Sequence, residues 1–147
     1  FPLPAEDHSL DFVFSSHVFE HLANPLGHLA HWFQKLRQGG VVVGVVPDLA
    51  GTKDYVFTPC PLGDLVREYE EGEMAPNLEH YRRWAEYRAP GEDPMEYLKA
   101  KRSIHVHFYT NCNMASLLEY AVARLGYSWF NIRHTPNHKD FFFVLGK

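Results

Sequence analysis

The feature that most constrains this chain is Val41-Val42-Val43-Gly44-Val45-Val46, an unbroken apolar run closed by Pro47-Asp48. Runs of this kind are strands buried on both faces, which happens when helices flank a parallel sheet. The residues before it fit that picture. Asp11-Phe12-Val13-Phe14-Ser15-Ser16 is a short β-prone stretch with polar ends. Between the two, Asn24 is a good helix cap and Pro25 suits the first helical position. Leu26, Leu29, Phe33 and Leu36 then recur as one apolar stripe, and Gly39-Gly40 is expected to stop the helix. Strand, helix and strand with short joins make a βαβ unit, so the fold class is α/β.

Residues from about 50 to 104 have a different texture, rich in Glu, Arg, Tyr and Pro. Leu62, Leu65, Val66 and Tyr69 form one helical stripe, Pro76 is expected to open a second helix, and Pro94 a third. A segment this long between core elements is expected to be a helical insertion or lid. After it, Thr110 or Asn111 caps a helix lined by Met114, Leu117, Leu118, Ala121, Val122 and Leu125, with Gly126 as its stop. Trp129–Arg133 and Phe141–Leu145 are β-prone runs around the turn-rich Asn137-His138-Lys139-Asp140, which predicts an antiparallel pair.

The totals exclude several classes. A formal charge of −4 and no dense Lys/Arg run weigh against nucleic acid as the partner. No apolar run is long enough to span a bilayer, and the N-terminus lacks the pattern of a signal peptide, so no membrane is expected. Two separated cysteines, Cys60 and Cys112, fit a reducing cytoplasmic setting better than a disulfide framework. The chain opens on Phe1 without an initiator Met. That opening is expected of a chain whose front half lies elsewhere.

Ser9-Leu10-Asp11-Phe12-Val13-Phe14-Ser15-Ser16-His17-Val18-Phe19-Glu20-His21-Leu22 resembles the segment around the fourth strand of class I, S-adenosylmethionine (SAM)-dependent methyltransferases. Leu36-Arg37-Gln38-Gly39-Gly40-Val41-Val42-Val43 is similar to the glycine-bearing approach to the family's fifth strand, with Gln38 where proline is usual. Ile104–Thr110 and the closing Phe141–Lys147 run look like later parts of the same domain. The resemblance implies a partial Rossmann-like sheet, strands four to seven with the last one antiparallel beside the fifth, in a single incomplete domain over 1–147. It implies SAM as cofactor. By the same likeness, Phe1–Pro4 falls just after the segment that contacts adenine. Yet the chain has no Gly-x-Gly-x-Gly turn and no acidic residue ending a second strand. These departures weigh against cofactor binding by the chain alone.

In doubly wound sheets, ligands lie outside the carboxyl ends of the strands. By resemblance, Ser15, Ser16 and His17 pass beneath the methionine end of the cofactor. His17 and His21 are candidates for the base of a methyl transfer, because imidazole titrates near neutrality. The alternative for Glu20-His21 is that the pair holds the loop and caps the next helix. His105 and His107 are candidates for a substrate-facing role at the mouth of the insertion, and a strand would put them on one face. With Cys112 they offer three zinc ligands, but no spacing names a fourth, and no metal set is assigned. His28 and His31, three apart on a helix, read as surface residues. Tyr81, Trp84, Tyr87 and Tyr97 suit an acceptor pocket or the insertion's own core. Arg82, Arg83 and Arg88 suit an acidic acceptor or a solvated face.

Three functions follow as expectations. The first is methyl transfer to a small-molecule acceptor by a protein of which this chain is the C-terminal portion, not competent alone. The second is a non-catalytic remnant acting as a dimerising interaction module, with a second copy or the missing half covering the Asp11 strand edge. The third is an unrelated α/β domain with metal on His105 and His107.

Overall fold

The computed structural model describes residues 3–147; Phe1 and Pro2, with part of the Phe1–Pro4 expectation, lie outside the described residues. Strand β1 (Leu10–Ser16) runs parallel to β2 (Leu36–Pro47), joined through helix α1 (Pro25–Lys35). Asn24 caps α1 by accepting from the Gly27 N–H at 2.7 Å, and Pro25 opens it as expected. Strands β3 (Trp129–His134) and β4 (Asp140–Gly146) form the expected antiparallel pair. β4 inserts between β3 and β2, antiparallel to both, so the sheet order is β1-β2-β4-β3.

Gly39-Gly40 does not stop α1. The helix ends at Lys35, and Leu36 turns to extended backbone with its side chain fully buried. The Lys147 ammonium donates to the Phe33 and Leu36 carbonyls at 2.7 Å each, satisfying carbonyls that the helix end leaves free. Gly39, at φ +77°, lies instead in an irregularity where β2 advances five residues while β1 advances two.

The expectation that the valine run is buried on both faces also fails within the described residues. Val13, Val42, Val46, Phe141, Phe143 and Leu145 pack on one side of the sheet with Leu26, Leu29, Met114 and Leu117 of the helices. In-register neighbours share a face, so Phe12, Phe14, Val41, Val43, Phe142 and Val144 lie on the other. There Phe12 and Phe14 are 62% and 61% exposed, and the valines are half-buried. Among the described residues, the helices of the main core gather on one side of the sheet.

Between β2 and the last helix lie two 3-10 turns (Leu49–Gly51 and Lys53–Val56) and helices α2 (Leu62–Glu71), α3 (Leu78–Arg88) and α4 (Pro94–Lys99). α3 starts two residues later than Pro76 suggests. Asn77 caps it reciprocally with His80, and a side chain that accepts from two backbone N–H groups outcompetes a proline start. Tyr81, Ala85, Tyr97, Ile104 and Val106 form the small core of this segment, and Tyr81 also reaches a cavity wall. Tyr87 is half-exposed and sets its ring edge-on to Phe57. Helix α5 (Asn111–Tyr120), capped by Thr110, runs into a π turn and stops at Gly126, φ +93°.

Candidate functional site

β1 and β2 deliver their carboxyl ends to one edge of the sheet, where the chain leaves them as Ser15-Ser16-His17 and Pro47-Asp48. His17 extends the ladder through its N–H to the Val45 carbonyl and then takes φ +51°, turning the chain out of the strand. The Ser15 hydroxyl is buried and has no partner. Ser16 is exposed.

The turn Phe19–His21 docks on the segment that follows the insertion, because the Val106 and His107 N–H groups both donate to the Glu20 carbonyl. That docking brings His21 and His105 together from opposite ends of the chain, with ring centroids 4.8 Å apart and planes near perpendicular. His21 donates from Nδ1 to the Ile104 carbonyl at 2.7 Å, and His105 from Nδ1 to the Asp54 carboxylate at 2.6 Å. The bond to Asp54 raises the His105 pKa. Below them the Glu20 carboxylate is buried with neither oxygen hydrogen-bonded, and burial raises its pKa against the pull of the nearby histidines. His17 Nδ1 lies 3.6 Å and His21 Nε2 3.8 Å from Glu20 Oε1. Asp140 Oδ1 is 3.7 Å from the other nitrogen of His17.

Of the four candidate histidines, the structure thus gathers His17, His21 and His105 around Glu20. His107 goes elsewhere. Residues 104–107 form no strand, so the one-face expectation for His105 and His107 does not hold. His107 is fully buried and donates from Nε2 to Glu68 at 2.9 Å, while His80 donates to the other Glu68 oxygen at 2.9 Å. Burial opposes ionisation of Glu68, but those two bonds outweigh it and hold its pKa below the usual range. The cluster ties α2, α3 and the His107 segment into one unit. Cys112 is exposed and free, and no part of it.

A cavity of about 550 Å³ opens beside His21, lined also by Ala23, His28, Tyr81, Leu98, Arg102 and Ile104. Its wall is mostly apolar, with a few polar groups, as in small-molecule sites. The arginines weighed for an acidic acceptor are otherwise engaged. Arg83 donates to the Val106 carbonyl and lies over the Phe108 ring, Arg88 donates to the Lys53 carbonyl, and Arg82 pairs with Glu79 in solvent.

Asp54 and Glu68 as histidine partners, and Glu20 as a buried unpaired carboxylate, are functional features that only the fold makes visible. Glu20 left one signal, the close spacing of His17, Glu20 and His21, which puts three titratable side chains on one short turn. Asp54 and Glu68 left none, because each finds its histidine only through the tertiary fold.

Residues 1–44 match the model of the methyltransferase domain family. No curated protein matches the chain. Among solved structures, the CMeT domain of the citrinin polyketide synthase shares the fold at TM-score 0.50 and 14% identity, over 99% of this chain and 29% of that one. A SAM-dependent methyltransferase from Thermotoga maritima aligns at TM-score 0.49 and 15% identity, over 98% of this chain and 58% of that one. One from Methanosarcina mazei gives TM-score 0.49 and 15% identity, over 99% and 62%. The chain therefore spans less than two thirds of each of these structures. The likeness to the methyltransferase domain family thus rests on residues 1–44, and over the whole chain the likeness is one of fold.

Proposed function

We propose that this chain forms the acceptor side of a SAM-dependent methyltransferase acting on a small molecule. The observation that carries the reading is the gathering of His17, His21 and His105 around Glu20 by the carboxyl end of β1, with His21 also lining a mostly apolar cavity. The fit to the cofactor is partial. The buried, unpartnered Ser15 hydroxyl suits a polar atom of the methionine end, with Ser16 and His17 beside it. No glycine-rich turn is present for the adenosine end, so the rest of the SAM site is assigned to elements outside this sequence. When bound, SAM supplies an electrophilic sulfonium methyl group.

The residues here position the acceptor and take its proton. The cavity holds the acceptor's apolar body, and the histidine edge faces its nucleophilic oxygen or nitrogen. Ser15, Ser16 and His17 would hold the methionine end of a bound SAM, whose methyl group would pass to that nucleophile. The acceptor's proton passes to imidazole nitrogen.

Titrating S-adenosylhomocysteine into the isotope-labelled chain and following amide resonances tests this reading. The expected result is a saturable set of shifts centred on Ser15, Ser16 and His17. Shifts centred elsewhere, or none at millimolar ligand, would remove the cofactor from that edge. The interaction-module reading has its own support in the exposed Phe12 and Phe14 on an edge strand.

A further inference from the structure

A buried carboxylate with no hydrogen-bond donor on either oxygen is unstable as an anion unless a cation neutralises it. At Glu20 the surrounding histidines are prepared to hold one. A carbonyl oxygen only accepts, so the 2.7 Å contact with Ile104 fixes the proton of His21 on Nδ1 and leaves Nε2 with a lone pair. The 2.6 Å contact with the Asp54 carboxylate does the same for His105. Metal-ligating histidines are oriented in this way, with one ring nitrogen tied to a carboxylate or backbone carbonyl and the other presented to the ion. A ligand atom from each of Glu20, His21 and His105 lies within 4.8 Å of the others.

We propose that Glu20, His21 and His105 bind a divalent transition-metal ion of the zinc, cobalt or iron(II) class, with Asp54 and the Ile104 carbonyl orienting the two imidazoles. Two nitrogens and one carboxylate oxygen suit these ions better than calcium or magnesium, which prefer all-oxygen shells. Neighbouring ligands on an ion with bonds of about 2.1 Å lie about 3 to 3.5 Å apart, so the three side chains close slightly around it. Both imidazoles are 31% exposed, which gives the ion a way in. Three protein ligands leave positions for water or for a ligand in the neighbouring cavity. With the ion in place His21 and His105 act as ligands, and His17, beside Glu20 and half-exposed, is the histidine left to take a proton. The Glu68–His80–His107 cluster has similar composition but a different character. Each Glu68 oxygen already accepts from an imidazole, and all three side chains are closed from solvent.

The ion site does not depend on methyl transfer, so the two are tested separately. Cobalt(II) titrated into the full 147-residue chain is expected to give saturable visible absorption at one equivalent, without the intense charge-transfer band of a thiolate. Glu20→Gln and His105→Ala should abolish it, Asp54→Asn should weaken binding about 10- to 100-fold, and His80→Gln should leave it unchanged. Thermal melting gives a second readout independent of the spectrum. Zinc should raise the midpoint of the native chain and not that of Glu20→Gln, whereas without metal Glu20→Gln should melt no lower than the native chain. No absorption at millimolar cobalt, a spectrum that survives Glu20→Gln and His105→Ala, or a thiolate band pointing to Cys112 would each overturn the proposal.

Discussion

His28 shows how far a single residue departs from its sequence pattern. Three residues from His31 on α1, it reads as a surface histidine, yet it is buried against the cavity wall near Trp32. Burial pushes its pKa from 6.5 down to about 4. The neutral form is therefore favoured in the folded state. Above pH 6.5 the imidazole is neutral folded or unfolded, and its titration contributes nothing against folding. Between 6.5 and 4 the unfolded chain takes up a proton that the native chain refuses, so stability falls with pH. Integrated over that window, the loss is about 3 kcal/mol. Urea unfolding of the native chain and His28→Leu at several pH values checks this: the difference between them should change by that amount between pH 7 and 4. A difference independent of pH would mean that His28 is solvated. The same tertiary burial separates His107 from His105. Two residues apart, they part because residues 104–107 lack the regular alternation of a strand, and only the folded chain reveals Glu68 and Asp54 as their partners.

Elements were legible wherever local chemistry sets them. Asn24-Pro25 opens α1, Thr110 caps α5, Gly126 ends the turn after it, and the two C-terminal strands pair as their composition suggests. Legibility failed where distant residues decide. Gly39-Gly40 looks like a helix stop, but Leu36 is claimed by the core and Lys147 caps the helix end from the far terminus of the chain. Gly44 is another position decided by tertiary contact. A Cβ there would meet the Phe143 ring at 2.3 Å, and that ring is fully buried edge-on to Phe19. Gly44→Ala should therefore lower unfolding stability by about 1 to 3 kcal/mol. Gly63, in α2 with nothing within 4 Å of an added Cβ, is the opposite case: Gly63→Ala should raise it by about 0.4 to 1 kcal/mol. Denaturant midpoints of the two variants decide both signs. A neutral Gly44→Ala would mean that Phe143 has room to move.

At the scale of the molecule, the helices of the described residues cover one face of the sheet and leave Phe12, Phe14, Val41, Val43, Phe142 and Val144 on the other. β1 is also an edge strand. An apolar face that continues to an unpaired edge favours association, because burial against a second surface removes apolar area from water and pairs the open N–H and C=O groups. The valine run announced two covered faces, and among the described residues helices cover one. For this chain in solution a second copy is an available cover. Sedimentation velocity should therefore show the 147-residue chain self-associating as its concentration rises. Replacing Phe12 and Phe14 together with Lys should return it to monomer. Both side chains are already mostly in water, so the monomer's fold should survive the change and its far-UV circular dichroism should match that of the native chain. If the native chain stays monomeric at every concentration tested, the open face is tolerated in water and the interaction-module reading loses its support. If it associates but the double variant associates equally, the contact lies elsewhere on the molecule, and the uncovered face of the sheet is not what draws copies together.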